Sequence, residues 1–268
     1  VPGMTYRILP MLAVSMIGIG LAIAAPVGAY FWSRDPGPAQ TMERLTAERL
    51  LPEDINRPHT VKSRLNSFGP SARTRLKKAF LAAPLPYPPA EIVLLGLKHE
   101  RLLELYGRAP GDELRFIKSY PFAAWTGRLG PKLREGDRQI PEGVYGIDYL
   151  NPNSIAYVSL RIGYPNAFER ARGQEDGRTE LGGDIMIHGK TGGSEGCIVV
   201  ENSDIEELFT LAADTGIHNI RVLLAPTDLR RNPAPTHPGN PSWTDRVYAD
   251  LIQEMAEIPM GKIQVAGD

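Results

Sequence analysis

Cysteine is almost missing from this 268-residue chain: Cys197 is the only one. A lone cysteine excludes an internal disulfide, and with five histidines spread along the chain no set of three or four His/Cys ligands shows zinc spacing. Aromatic residues make up 7% and do not interleave regularly with basic ones, which argues against a nucleic-acid surface. Net charge is −1 but unevenly distributed, Arg34 to Phe80 holding ten basic and five acidic residues. Internal repeats are absent. A content of 42% hydrophobic and 23% charged residues suits an ordinary globular protein with one sizeable core.

Charge itself is missing from Ile8 to Ser33. A bilayer's apolar core needs about 20 helical residues, so this run is long enough to cross one and longer than the usual core of a cleaved signal peptide. An uncleaved signal anchor over residues 1–33 is the expectation, with cleavage after Ala22-Ile-Ala24 or Val27-Gly-Ala29 as the alternative. Arg7 flanks one side and Arg34 with Asp35 the other, so flanking charge does not orient the span.

Residues 34–88 read as a juxtamembrane basic and Pro-rich linker. Lys62, Arg64, Arg73, Arg75, Lys77 and Lys78 meet no acidic neighbour between Val61 and Phe80. They read as the solvated face of a helix, or as a contact to anionic head groups. Pro84, Pro86, Pro88 and Pro89 form a stiff connector. Beyond it come a hairpin about His99-Glu100, then strands near Leu114–Tyr120, Gly143–Ile147, Ile155–Ile162 and Ile220–Leu224. A helix from Asp204 to about Asp214 shows a Ser203/Glu206 capping box and Gly216 as its stop. Trp243 to Ile258 reads as a final amphipathic helix. A catalytic domain is thus bounded at 89–226, with a C-terminal loop and helix at 227–268.

The cysteine falls in His188-Gly-Lys-Thr-Gly-Gly-Ser-Glu-Gly-Cys197. A thiol attacks as its thiolate, so a neighbouring imidazole is what activates it near neutral pH. Asp184–His188 and Gly196–Val200 look like strands joined by a glycine-containing turn. Alternation sends Asp184, Met186 and His188 to one face, and Cys197 shares a face with Val199. Three plainer readings compete: a small buried hydrophobe at Cys197, a metal site of Asp184, His188 and Cys197, and a phosphate loop at Gly189-Lys190-Thr191. The metal lacks further ligands, and the phosphate loop would need its first glycine where Asp184 stands. Of the five histidines only His188 has both motif and position. His218, just past a helix end, is the reserve.

Those residues resemble the L,D-transpeptidase (YkuD-type) catalytic domain, with its H-G and S-x-G-C signatures at His188-Gly189 and Ser194-Glu195-Gly196-Cys197. Gly182-Gly183-Asp184, Ile140-Pro141-Glu142-Gly143, Tyr164-Pro165-Asn166 and Ile205–Ala213 look most like its YafK-like murein branch. The resemblance runs from about Pro89 to Pro226. One departure is that Ile198, Val199 and Val200 follow the cysteine where many members carry an arginine. It implies a mainly β, sandwich-like catalytic domain with a few helices, acting in the periplasm on peptidoglycan stem peptides and held to the inner membrane by the N-terminal segment.

The resemblance also implies the roles. Cys197 is the nucleophile and His188 its base, oriented by the Gly189 carbonyl. Gly196 and Cys197 N–H groups hold the oxyanion, and Ser194 shapes the turn. Arg128, Arg161 and Tyr164 are candidates for substrate carboxylates or amides, as is Lys132, against a plainer role as surface charge or structural pairing. No metal or organic cofactor is required. The acceptor, a stem-peptide or lipoprotein amine or else water, separates transpeptidase from hydrolase. An inactive wall-binding protein is the third reading.

Overall fold

The structure, a computed structural model, describes residues 58–190 and 193–261. The segment expected to anchor the chain, and the linker up to residue 57, lie outside the described residues. Among the described residues no helix is long and apolar enough to cross a membrane.

Ile92-Val-Leu-Leu-Gly-Leu97 is apolar without alternation, the mark of a strand covered on both faces. It forms β1 (Glu91–Leu97), every residue after the first buried. The expected hairpin follows, Leu97 pairing with Leu102 at the mouth of β2 (Leu102–Arg108). Arg101 at φ +56° closes the turn. β3 is Arg115–Pro121 and β4 is Gly143–Asn151. β5 is Ser159–Ile162, β6 Met186–His188, β7 Ile198–Val199 and β8 Ile220–Ala225.

These strands form one eight-stranded sheet, ordered β3-β2-β1-β8-β4-β5-β6-β7, where a two-sheet sandwich was the expectation. The long strand β4 explains the difference. Gly143–Gly146 pair with β8 and Ile147–Asn151 with β5, across an irregularity between Ile147 and Tyr149 that bends the sheet. The far edge then returns toward the first: Ala123 N–H donates to Val199 O (2.8 Å), and Ala124 bridges Val199.

Helices cover both faces. α1 (Val61–Ala82) and α3 (Asn202–Thr215) lie over one, and α4 (Thr244–Met255) over the other; α2 is the short helix Ala167–Glu175. Phe68, Ala72, Leu76 and Phe80 make the buried stripe of α1, and Phe68 meets Phe209 of α3 edge to face at 5.9 Å. Opposite, Val247, Tyr248, Leu251 and Met255 pack on Val93, Leu95, Leu97 and Leu223. Each such side chain contributes about 1.5–3 kcal/mol of burial.

α1 corrects the reading of residues 58–88 as linker, since it shares the core with the sheet. It also reassigns the basic stretch. Arg73 forks onto both oxygens of Asp214 at 2.7 Å. Arg75 reaches Glu207 (2.7 Å), Glu206 (3.0 Å) and the Ser203 carbonyl (3.0 Å). Arg64 donates to the carbonyls of Pro152 and Tyr157. These three arginines are docking contacts, while Lys62, Lys77 and Lys78 stay exposed.

Two boundaries also moved. α3 begins at Asn202 with Glu201 as its cap residue and no side-chain cap, so the Ser203/Glu206 box does not form. Ser203 falls inside the first turn, and Glu206 turns to Arg75 and Tyr157. α4 is the final amphipathic helix expected, trimmed at both ends.

Candidate active site

β6 and β7 lie side by side, Ile187 opposite Ile198 and His188 opposite Val199, and they run parallel. The expected neighbours are adjacent, but the chain between them crosses over rather than turning back. Val200 N–H donates to His188 O (2.9 Å) and continues the ladder. β5 lies antiparallel on the other side of β6, with Ser159 opposite His188 and Arg161 opposite Met186. Opposed residues project to one face. One row is therefore Ser159, His188, Val199, and the next is Arg161, Met186 and, one step before Ile198, Cys197.

Cys197 and His188 are thus diagonal neighbours on one face, a relation that spans about 7–8 Å between backbones. The thiol is half-buried and points to Asp184 O at 3.8 Å. Asp184 does not belong to β6 as expected. It sits at φ +52° in the turn before it, so its carbonyl meets the sulfur while its carboxylate lies 3.6 Å from Arg161.

His188 is buried, and its Nδ1 lies 2.7 Å from Gly189 O. A carbonyl offers no proton, so Nδ1 carries one and Nε2 keeps a free lone pair. Gly189 allows this approach: a Cβ there would meet Asn202 Oδ1 at 2.5 Å. Asn202 in turn accepts from Lys190 N–H (2.9 Å), pinning the post-histidine chain to the start of α3.

Burial pushes the His188 pKa down, against the opposing effect of the Gly189 carbonyl. Burial also pushes the Cys197 thiol up; a Met186 backbone bond and Lys132 oppose it, while Asp184 and Glu195 add to it. Both shifts favour the neutral thiol and neutral imidazole over a thiolate–imidazolium pair.

The S-x-G-C turn is built around Ser194, which is buried. Its hydroxyl donates to Cys197 O (2.7 Å), accepts from Gly196 N–H (3.2 Å) and lies 3.3 Å from Thr126 Oγ1. Gly196 has φ +109°, and a Cβ would meet Gln139 O at 2.6 Å, so only glycine fits. Thr126 and Gln139, which back this turn, carried no signal in the sequence beyond Gln139 preceding the Ile140–Gly143 segment.

The other candidates divide. Arg161 shares the thiol's row and donates to Asp148 Oδ1 at 2.8 Å. Tyr164 is buried and its hydroxyl donates to Leu181 O (3.1 Å), a bond that ties loops together. Lys132 is buried against Asp137 at 2.6 Å. Arg128 is exposed on the Ala123–Glu142 loop and reaches Asn240 Oδ1 (3.2 Å). Glu195 pairs with Arg138 (2.8 Å). His218 lines a separate cavity with Glu91, Arg108 and Arg221. Among the described residues no group of three His, Cys, Asp or Glu side chains is set to hold a metal.

The family model of the L,D-transpeptidase catalytic domain, YkuD, matches residues 97–244. The chain belongs to that family. Its similarity to Escherichia coli (strain K12) YafK, a protein provisionally named an L,D-transpeptidase, is 40% identity over 114 residues, 42% of this chain and 43% of that protein. The chain thus matches less than half the length of this relative. Among solved structures, the helical cell shape determining protein Pgp2 from Campylobacter jejuni matches at 23% identity and TM-score 0.43, over 52% of this chain and 48% of that one. L,D-transpeptidase 1 of Mycobacterium tuberculosis matches at 11% and 0.28, over 50% and 61%.

Proposed function

We propose that this protein is a cysteine L,D-transpeptidase acting on peptidoglycan stem peptides. Family membership supports the reaction class. The observation that carries the chemistry is the fixed His188 tautomer, whose Nε2 lone pair stands on the same sheet face as the Cys197 thiol.

In this reading the Cys197 sulfur attacks the carbonyl on the L-centre of diaminopimelate while its proton passes to His188 Nε2. The carbonyl oxygen gains charge and is met by the Cys197 N–H, because the Gly196 N–H is already engaged by Ser194. Collapse breaks the C–N bond, and His188 returns the proton to the departing amine, D-alanine from a tetrapeptide. A thioester remains. An acceptor amine, deprotonated by His188, then attacks it, forming the new amide and restoring the thiol. A stem-peptide amine gives a crosslink and a lipoprotein lysine gives an anchored protein. Water in the same position gives hydrolysis.

Arg161, in the thiol's row and roughly 10 Å across two strand spacings, takes a substrate carboxylate in place of the arginine that this chain lacks after the cysteine. The wall substrate puts this domain in the periplasm, delivered by the apolar segment Ile8–Ser33 as an inner-membrane anchor or a cleaved signal. Product analysis after incubation with disaccharide tetrapeptides tests the reading. Free D-alanine with diaminopimelate-to-diaminopimelate dimers supports transfer, shortened peptides alone promote the hydrolase, and no reaction leaves the wall-binding reading.

A further inference from the structure

We infer that a small cationic pocket beside the S-x-G-C turn is a second carboxylate subsite for the peptide substrate, with Arg101 and Arg128 as its ligands and Trp125 as its wall. This deepens the proposed function and rests on it. The pocket holds about 180 Å³ between the β1–β2 hairpin and the loop after β3, with Leu129 and Ile140 among its lining residues. Its link to the chemistry is short: the adjoining Thr126 hydroxyl lies 3.3 Å from Ser194 Oγ, which donates to the carbonyl of Cys197.

Charge selects the ligand. Lys98 also lines this pocket, but its ammonium is bound to Glu142 (2.8 Å) and to the carbonyls of Gly130 and Ile140. Arg101 stacks on Trp125 at 3.8 Å, and Arg128 donates only to neutral oxygens, of Leu129 and Asn240. Among the described residues neither guanidinium forms an ion pair, whereas Arg161 has two carboxylates in reach. The nearby Glu100 points away, accepting from Thr227 and Asp228. Two unneutralised guanidiniums around a space this small suit an end group such as a carboxylate, while a whole saccharide needs a pocket of about 300 Å³ or more. Trp125, 39% exposed and held by the stacked arginine, gives the attached side chain an apolar wall.

Trp125 is also the reporter. In a Cys197→Ala protein that also carries Trp32→Phe and Trp243→Phe, leaving Trp125 as its one tryptophan, disaccharide tetrapeptide with free carboxylates and its fully amidated form are titrated against tryptophan fluorescence, with glutarate as a simple anion. The expected result is tighter binding of the acid by about 10-fold or more, as charge-assisted hydrogen bonds give. That preference shrinks in Arg161→Gln and disappears only when Arg101→Gln and Arg128→Gln are added. Acid and amide binding alike, or a preference already lost in Arg161→Gln and unaltered by the other two, overturns the subsite while the proposed function stands. Glutarate shifting Trp125 through Arg101 and Arg128 when no muropeptide binds keeps the pocket and removes the function. No response to either ligand overturns the pocket.

Discussion

His188 Nδ1 donates to the carbonyl of the very next residue, Gly189, at 2.7 Å. In the proposed mechanism this bond takes the place of the carboxylate in a Ser-His-Asp triad, without adding a negative charge. It fixes the tautomer but stabilises an imidazolium less, which accords with a histidine whose pKa burial lowers.

The first prediction is a pH dependence. His188 must be neutral to act as base and its pKa lies below the ordinary 6.5, so turnover should rise with pH through a midpoint below that value and be complete by neutrality. The thiol lies above its ordinary 9.0, so iodoacetamide labelling of Cys197 should still be climbing past pH 9. A labelling rate that levels off below pH 8 would show a thiolate–imidazolium pair instead. For stability, the unfolded chain binds a proton at His188 that the folded one resists. This site should therefore cost stability as pH falls below 6.5, and Tm of His188→Asn should fall less with acid than that of the native protein.

A second prediction concerns the turn. Ser194→Ala removes the bonds to Cys197 O and Gly196 N–H, and should cost about 1–3 kcal/mol and lower kcat about 10-fold or more with the fold kept. Gly196→Ala meets Gln139 O and should lose activity outright. Normal turnover by either protein, checked beside its circular dichroism, would remove the turn from the chemistry.

The third addresses the domain's true extent. Leu76 is fully buried against the core, so Leu76→Ala should destabilise by about 2–5 kcal/mol in urea unfolding. A protein starting at Pro89 should not fold. A native-like melt from it would return residues 58–88 to the status of a linker.

Arg161→Ala supplies the fourth. It should raise KM for tetrapeptides about 10-fold while Tm stays within a degree or so, since its ion pairs are solvent-exposed. An unchanged KM would leave Arg161 as surface charge.

How much of this was legible varies with the kind of signal. Cys197 and His188 stand in a local motif, and the apolar runs of β1 and β8 read as strands. The parallel pairing of β6 and β7 was hidden because strands of three and two residues carry no register information of their own. α1 was misjudged because its basic residues find their partners far along the chain, Arg73 at Asp214 and Arg75 at Glu207. The same long reach hid Gln139 behind Gly196. Tyr164 read as a substrate contact because sequence shows a hydroxyl but not what it is bonded to.

The most direct test is intact-protein mass spectrometry of residues 58–268 mixed with disaccharide tetrapeptide and quenched in acid. The account predicts an adduct of the substrate minus D-alanine, mapped to Cys197, absent from Cys197→Ala and formed about 10²–10⁴-fold more slowly by His188→Asn. Turnover without any adduct, or an adduct that persists in Cys197→Ala, would contradict it.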